Sequence, residues 1–361
     1  MKKLFLITFL LLCLNNNVFA QVAKKIEQLN KKTDSLELYY QKFSEIPAKV
    51  FKFANIKYLQ LKGNPLKMIP KEINKLSNLL SLDIGYTQLD AFPQEVLALK
   101  KLRNLDLFSN KITVLPSELI AIKNLQCLNL GMNSLKDLPK EIGQLKQLEM
   151  LDISYNKISN LPKELWNLKK LTHLGIDGNK ITILPQELWT LEKLIALNLS
   201  NIGIKTVSAE IGKLKKLTTL SLFSNQITVL PNEIWDLQSL KNLNLDETLI
   251  TTIPKELGKL VNLETLLLAN NKMTELPAEI GKLVKLKTFD LKYNQLTVLP
   301  KEIGDLIMLE KLELYQNQIE TLPDEIVKLT KLKELDLKEN PISEEEKKRI
   351  KGLLPNCEIE F

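Results

Sequence analysis

Apolar residues recur along this chain with a period of 23 residues, and the phase holds over twelve successive units. The first leucine of each unit marks that phase, at Leu79, Leu102, Leu125, Leu148, Leu171, Leu194, Leu217, Leu240, Leu263, Leu286, Leu309 and Leu332. Ile56 opens one earlier unit and a degenerate unit begins at Thr33, which gives 14 units ending at Leu354. A period of this length is typical of a solenoid, whose units stack on one another.

Each unit contains a strand pattern followed by a helical pattern. In unit 125–147, Leu128 and Leu130 alternate with polar residues, which predicts a short half-buried strand. Pro139 then opens a short helical turn, and Ile142 lies on the buried side of that turn. One unit buries too few apolar side chains to offset the entropy of ordering its backbone. We therefore expect the stacked array, and not the single unit, to be the stable object.

An asparagine follows the strand in ten units. A short amide at this place is expected to bond turn backbone groups of its own unit and of the adjacent unit. Thr87, Ile202 and Thr248 interrupt the column. The asparagines are Asn64, Asn110, Asn133, Asn156, Asn179, Asn225, Asn271, Asn294, Asn317 and Asn340.

Both ends of the array carry capping signals. Ser343 and Glu346 predict a capping box at the start of a helix. Apolar residues alternate over residues 357–361, which predicts a final strand over the last unit. At the other end, the apolar side chains of residues 22–29 have a helical spacing and are expected to cover the first unit.

The first twenty residues read as an export signal. Lys2 and Lys3 precede an apolar run over residues 4–14, and Val18-Phe19-Ala20 places small residues at a cleavage site. The run has 11 residues, whereas a membrane-spanning helix needs about 20. We therefore expect a mature chain that begins near Gln21 and is secreted or associated with the cell surface, with a periplasmic location as the alternative.

Charge and cysteine content exclude several classes of protein. Removal of Lys2 and Lys3 lowers the formal net charge from +7 to +5, and lysines and glutamates are mixed along the chain. This balance favours solubility and not nucleic-acid binding. Two cysteines, Cys127 and Cys357, remain after cleavage, which is too few for a disulfide scaffold. Roughly nine strand spacings separate them, so we expect both to be free thiols.

The pattern L-x-x-L-x-L-x-x-N-x-[IL]-x-x-L-P-x-E-[IL]-x-x-L, as in residues 148–168, resembles the leucine-rich repeat family. The 23-residue length is similar to Ras-group-related and disease-resistance-like repeats. The two termini resemble those of secreted spirochaete leucine-rich repeat proteins. The resemblance implies an α/β fold, a right-handed horseshoe with a parallel sheet on the concave side and short helices or turns on the convex side. It also implies a protein partner on the concave side, with host-surface proteins suspected for the bacterial members.

This resemblance divides the chain into segments. We expect a signal peptide over residues 1–20, an N-terminal cap over 21–32 and a leucine-rich repeat domain over 33–354. A C-terminal cap over 343–361 overlaps the last unit.

Family geometry places the third, fifth, seventh and eighth residues of each unit outward on the concave side. The fifth-position column is acidic or amide, and aromatic side chains collect at positions seven and eight. Aromatic residues framed by carboxylates are typical of a protein interface. The acidic border favours a basic patch on the partner. The candidate binding residues are Tyr86, Phe108, Met132 and Tyr155 with Asp83, Asp106 and Asp152, and, further along, Phe223, Tyr293 and Tyr315.

Lysines collect just before the strands, on one rim, among them Lys100, Lys123, Lys146 and Lys169. A solvated edge is the simpler interpretation, and a site for sulfated glycan or acidic lipid is the alternative. Because the aromatic residues are not beside these lysines, the arrangement does not suit nucleic acid.

Trp166, Trp189 and Trp235 share one register on the convex side, where other units carry glycine. Packing at that surface is the simpler interpretation, and self-association is the alternative. We expect a monomer.

Residue types for catalysis are scarce, so we expect no enzyme and no cofactor. The single histidine, His173, has no recognisable nucleophile motif beside it, and the 12 glycines form no phosphate loop. Cys127, Met150 and His173 occupy one column in three successive units, where a soft metal ion is the alternative to three unrelated residues. We predict no metal site.

Overall fold

The computed structural model describes residues 22–361, so the predicted signal peptide at residues 1–20 lies outside the described residues. The chain forms two compact units, which meet in sequence between Ile181 and Thr182. Both are built from the 23-residue repeat, and in both the strands pair in parallel in chain order. Each unit is thus a stack of repeats with parallel strands, which is the arrangement that the 23-residue period predicts.

In the first unit, residues 22–181 form eight strands, and neighbours along the chain pair in register. All but the first strand have three residues, at positions 3 to 5 when the opening leucine is position 1. They are β1 (Val22–Ala23), β2 (Ser35–Glu37), β3 (Tyr58–Gln60), β4 (Ser81–Asp83), β5 (Asn104–Asp106), β6 (Cys127–Asn129), β7 (Met150–Asp152) and β8 (His173–Gly175).

The second unit also contains eight strands, paired in the same way. The last of them, β16, is the strand that the alternation over residues 357–361 predicts. The strands are β9 (Ala196–Asn198), β10 (Thr219–Ser221), β11 (Asn242–Asn244), β12 (Thr265–Leu267), β13 (Thr288–Asp290), β14 (Lys311–Glu313), β15 (Glu334–Asp336) and β16 (Glu358–Glu360).

Short 3-10 helices alternate with the strands. A proline in extended conformation precedes most of them, as Pro139 does (φ −65°). Where Ser208 replaces the proline, its hydroxyl accepts a hydrogen bond from the Glu210 amide, so the turn is kept. The 3-10 helices are Ile26–Gln28, Val50–Lys52, Lys71–Lys75, Gln94–Ala98, Ser117–Ala121, Lys140–Gln144 and Lys163–Asn167 in the first unit, and Gln186–Thr190, Ala209–Lys213, Asn232–Asp236, Lys255–Lys259, Ala278–Lys282, Lys301–Asp305 and Asp324–Lys328 in the second.

The asparagine column bonds successive repeats to each other, as predicted. The Asn133 Oδ1 atom accepts a hydrogen bond from the Ile112 amide of the preceding repeat at 3.0 Å. Its Nδ2 group donates to the Leu107 carbonyl at 3.0 Å and to the Leu130 carbonyl of its own repeat at 2.9 Å. The Leu107 carbonyl also accepts from Asn110, so consecutive asparagines share one acceptor. This sharing links consecutive asparagines into a ladder, which runs from Asn110 to Asn179 in the first unit and from Asn271 to Asn340 in the second.

Threonine replaces the ladder amide only in part. The Thr87 hydroxyl donates to the carbonyl of Ile84 in its own repeat at 2.8 Å, and it lies 2.9 Å from the Asn110 Oδ1 atom. Thr248 makes the corresponding contacts in the second unit. Each threonine therefore keeps the bond within its own repeat that an asparagine would make.

The ends of the array differ in detail from the sequence-based expectation. Helix α1 (Glu344–Leu353) begins after Ser343, whose hydroxyl accepts from the Glu346 amide. The Glu346 carboxylate does not complete a capping box; it accepts from the Leu322 amide of the preceding repeat at 3.0 Å. At the other end the helical spacing was misleading, because Val22 lies in β1 and only Ile26–Gln28 forms a helical turn.

Candidate functional site

Position 8 of the repeat has a left-handed backbone in both units. Tyr86 has φ 55°, Met132 54° and Tyr155 50° in the first unit, and Tyr293 has 55° in the second. Glycine adopts this conformation without strain, and other residues pay for it. Other repeats have the same conformation with Ser109, Asn201 or Glu247 at this position, so the left-handed backbone belongs to the repeat itself. What distinguishes Tyr86, Met132 and Tyr155 is the large side chain that each presents there.

The aromatic strip, which we define as Tyr86, Phe108, Met132 and Tyr155, crosses four consecutive repeats. The Tyr86 and Phe108 rings have centroids 5.4 Å apart at an interplanar angle of 50°. Tyr86 is 41% exposed and Met132 is 46% exposed. Tyr155 is half-buried. The structure thus places the four predicted residues in one row, two of them well exposed.

Phe108 does not point freely outward as the sequence analysis expected. It is only 9% exposed, because its ring lies over Gly131 of the next repeat. A Cβ atom at Gly131 would be 2.9 Å from the Phe108 Cδ2 atom. We therefore expect truncation of Phe108 to affect folding more than truncation of the exposed Tyr86 or Met132.

Two residues beside the strip were missed. Tyr40 also occupies position 8, and its ring lies against Gly63 of the next repeat, as the Tyr155 ring lies against Gly178. Lys62 extends its ammonium to 5.1 Å from the Tyr86 ring centroid. The glycines at position 8 were the available signal, since each provides the space that the preceding tyrosine fills.

The fifth-position column has a structural role that the sequence analysis also missed. Asp83, Asp106, Asn129 and Asp152 each accept a hydrogen bond through Oδ1 from the backbone amide two residues later, at 3.0, 2.8, 3.1 and 2.8 Å. This is the local bond by which Asp and Asn stabilise turns. Part of the reason for an acidic or amide residue here is therefore the turn itself.

Burial makes the carboxylates of this column unusual. Desolvation raises the pKa of both Asp83 and Asp106, and repulsion from Asp106 raises the pKa of Asp83 further. Desolvation also raises the pKa of Asp152 to about 6. The nearby Lys62 ammonium acts in the opposite direction on the pKa of Asp83 and Asp106. The carboxylates that border the strip are therefore desolvated, and their pKa values lie above that of an ordinary aspartate.

The second unit has a separate aromatic pair. The Tyr293 and Tyr315 rings meet edge to face with centroids 5.1 Å apart. Phe223 is three repeats away from Tyr293 in sequence and is half-buried. Lys292 lies 3.2 Å from the Asp290 carboxylate and 3.5 Å from the Glu313 carboxylate. The acidic residues here are neutralised by ion pairs, so this surface is less acidic in character than the strip.

The sulfur and imidazole column is part of the buried structure. Cys127, Met150 and His173 are 7%, 3% and 2% exposed. Burial lowers the pKa of His173 to about 4, so the imidazole is neutral, and its Nδ1 atom lies 2.9 Å from the Thr172 hydroxyl. Within residues 22–361 no group of three His, Cys, Asp or Glu side chains is arranged to hold a metal ion. Cys127 and Cys357 are both free thiols.

The rim lysines hydrogen-bond to other residues of the protein, and the tryptophans are buried. Lys100 donates to the Leu97 carbonyl at 2.7 Å, and Lys170 donates to the Gln147 side chain at 2.6 Å. Trp166, Trp189 and Trp235 are 3%, 1% and 1% exposed, so the tryptophans pack inside the protein as expected, but they are buried and not at its surface. Buried tryptophans offer no apolar surface for self-association.

Comparison with known proteins places this geometry in a family. Models described as "Leucine-rich repeat region" match residues 117–199 and 278–350, and models described as "Leucine rich repeat" match residues 54–112, 215–273 and 238–296. The chain belongs to the leucine-rich repeat family. Proteins of this family are generally binding scaffolds and not enzymes.

Solved structures of other leucine-rich repeat proteins resemble this one over most of its length. A leucine-rich repeat protein of Leptospira interrogans is 37% identical, with TM-score 0.76, over 94% of this chain and 100% of that chain. Because Leptospira is a spirochaete, this match supports the narrower resemblance. No match was found among curated proteins.

Two receptors are similar in structure but longer. A TDR receptor is 28% identical, with TM-score 0.72, over 88% of this chain and 61% of that one. A plant peptide hormone receptor in complex with RGF2 is 28% identical, with TM-score 0.61, over 95% of this chain and 65% of that one. This leucine-rich repeat chain therefore spans less than two thirds of either receptor chain.

None of the helices formed by residues 22–361 of this leucine-rich repeat protein has the length and apolar character needed to cross a membrane.

Proposed function

We propose that this leucine-rich repeat protein is an exported binding module that holds a protein partner on the outward face of its sheet, at the aromatic strip. The observation that carries the proposal is the row of large side chains at Tyr86, Met132 and Tyr155 in neighbouring repeats, of which Tyr86 is 41% and Met132 46% exposed. Exposed apolar side chains that cluster in this way mark protein interaction surfaces. An exposed tyrosine and methionine are suitable anchors for a protein interface.

The similar structures agree with a binding role. The plant peptide hormone receptor is described in complex with RGF2, so a protein with a similar fold binds a second molecule. Transfer of that role to this chain is part of the proposal, as are the absence of catalysis and the monomeric state. Sulfated-glycan binding and a structural role in the envelope are the competing functions. The bond that Lys170 makes to Gln147 of the preceding repeat favours a structural edge over a glycan site.

Changing Tyr86, Met132 and Tyr155 together to glycine should weaken partner binding by about 100-fold or more. Each anchor is worth about 1–3 kcal/mol, and 1.4 kcal/mol corresponds to a factor of ten. Glycine is the appropriate replacement because it relaxes the left-handed backbone, so the melting temperature should fall little. Affinity is measured by surface plasmon resonance with a partner identified by pull-down from host and bacterial extracts.

Ser109 provides the matched control for this variant. It occupies position 8 with φ 56°, between Tyr86 and Met132, so Ser109→Gly makes the same backbone change without removing an anchor. Affinity of the Ser109 variant should equal that of the wild type. If the triple variant binds as tightly as wild type, the partner does not use the aromatic strip, and the Tyr293–Tyr315 pair becomes the site to test.

Export requires a separate measurement. We expect the mature protein to begin at or near Gln21, because the charged start, the short apolar run and Val18-Phe19-Ala20 form a cleavable signal. N-terminal mass spectrometry of protein from cells and from culture medium tests this. An intact Met1 on the cellular protein would contradict it.

A further inference from the structure

We propose that the partner docks an arginine or lysine side chain against the Asp83–Asp106 pair beside the Tyr86 ring, and that this cation fixes the partner's place on the aromatic strip. The inference rests on the proposed function and names the chemistry of the partner: a protein segment with an exposed basic residue next to apolar ones.

The two carboxylates are held close to each other by the fold. Asp83 and Asp106 are register partners on the neighbouring strands β4 and β5, and such strands lie about 4.8 Å apart. Each uses Oδ1 to accept a bond from its own turn, at the Gly85 and Phe108 amides, so neither side chain is free to rotate away. The fold therefore maintains a repulsion that a bound cation would relieve.

Access to the pair is open because position 7 between them is glycine. A Cβ atom at Gly85 would lie 3.3 Å from an oxygen of Asp83 and 3.3 Å from an oxygen of Asp106. A larger side chain would cover the pair. Tyr86 follows Gly85 in the chain, and its ring centroid lies 5.4 Å from that of Phe108.

The chain already places one cation here. Lys62 approaches the Tyr86 ring to 5.1 Å, and its charge favours the ionised form of both aspartates. One ammonium balances only one of the two carboxylates. A guanidinium from a partner suits the remaining charge well, since it bonds carboxylates through a planar fork and stacks on aromatic rings.

Binding of a cation at this pair should depend on pH. Burial raises the pKa of both aspartates, and repulsion from Asp106 adds to the rise at Asp83, so lowering the pH neutralises them in the free protein earlier than ordinary aspartates. A cationic ligand favours the ionised pair, so affinity should increase as pH rises from 5.5 to 8. The charged or titratable groups around the pair are Lys62, Tyr39 and Asp152.

The test uses two fluorescein-labelled decapeptides, one alternating arginine with alanine and one alternating glutamate with alanine. Fluorescence anisotropy should show binding of the arginine peptide to wild type and not of the glutamate peptide. The Asp83→Asn/Asp106→Asn variant should bind the arginine peptide about tenfold or more weakly, because charge-assisted bonds are lost. This variant should fold, since Asn129 makes the same turn bond in the next repeat.

Two controls separate this site from general charge effects. Asp290→Asn alters a fifth-position aspartate that bonds its own turn in the same way but is paired with Lys292, and it should leave affinity unchanged. Lys62→Met should tighten binding, whereas Lys67→Met, which removes an exposed lysine of the same repeat, should not. Equal effects of Asp290→Asn and the double variant, or equal effects of the two lysine variants, would overturn the proposal.

The identified partner then distinguishes this inference from the proposed function. A partner that is lost with the triple glycine variant and also weakened by the double asparagine variant supports both. A partner that is lost with the triple glycine variant but binds the double asparagine variant normally overturns this inference alone. A partner that survives the triple glycine variant overturns the proposed function.

Discussion

Replacing Asn133 with alanine should lower the free energy of unfolding by about 3–5 kcal/mol. The substitution removes the Asn133 Oδ1 atom, which accepts the hydrogen bond of the buried Ile112 amide. A buried donor that loses its acceptor costs about 1–3 kcal/mol. It also removes the two bonds to the Leu107 and Leu130 carbonyls, worth about 1 kcal/mol each. Those carbonyls keep a second donor, Asn110 and Asn156 respectively, which limits the loss.

A graded series makes this prediction specific to the ladder. Asn133→Thr should cost about half as much, because Thr87 shows that a threonine hydroxyl keeps the bond within its own repeat. Asn160→Ala removes an exposed asparagine of the following repeat and should change stability by no more than about 0.5 kcal/mol. Urea unfolding gives the free energies, and hydrogen exchange of the Ile112 amide shows whether the damage is at the ladder. Similar losses for Asn133→Ala and Asn160→Ala would contradict the role of the ladder.

The ladder is also the part of the fold that sequence predicts best. A period of 23 residues fixes which residues are neighbours across strands, so the pairing of Asp83 with Asp106 follows from counting. The shared asparagine bonds follow from the same count and from the geometry of an amide. The strand pairing and the asparagine bonds recur in many of the 23-residue repeats, which is why a single sequence contains enough examples to reveal them.

The details of the candidate site were less predictable because they depend on pairs of residues in different repeats. Phe108 is buried because the next repeat has Gly131 at the same position. A rule that assigns one orientation to position 7 of all repeats cannot foresee this contact. The left-handed backbone at position 8 was detectable, since glycine there in some repeats, as at Gly63 and Gly178, indicates positive φ. The turn bond of the fifth-position aspartates was not separable from an interface role, because both favour the same residue types.

The tryptophans show a different limit of sequence analysis. Their register lies on the convex side of the repeat, where other repeats carry glycine, and this placement led to the expectation of packing at the surface. In the structure Gly143 is buried, and a Cβ atom there would collide with the Glu164 carbonyl of the next repeat. Glycine at this position permits close approach of backbones, whereas tryptophan fills a wider space with its own ring. Position 19 is therefore a core position in both cases.

Replacing Trp235 with alanine should consequently destabilise the second unit by about 3–5 kcal/mol, as expected for loss of a fully buried aromatic side chain. Val229→Ala, in the same repeat but at a side chain that is 75% exposed, should change stability by no more than about 0.5 kcal/mol. Calorimetry or urea unfolding measures both. If Trp235→Ala were as mild as Val229→Ala, the ring would not be part of the core.

Trp235→Phe separates the ring from its polar atom. Among the residues that the structure describes, the buried indole Nε1 of Trp235 has no hydrogen-bond partner, which costs about 1–3 kcal/mol. Phenylalanine removes this unsatisfied donor while keeping most of the apolar volume, so its cost should be well below that of alanine. The same reasoning applies to Trp189, whose Nε1 is also buried without a partner in residues 22–361. A phenylalanine variant as unstable as the alanine variant would mean that the indole shape, and not its burial, stabilises this repeat.

Oligomeric state needs a variant that keeps the core intact. Replacing a buried tryptophan with glycine would damage the core, so the loss of an oligomer in such a variant would not demonstrate self-association through the ring. Trp235→Phe keeps most of the ring volume, and we expect it to sediment as a monomer, as we expect of the wild type.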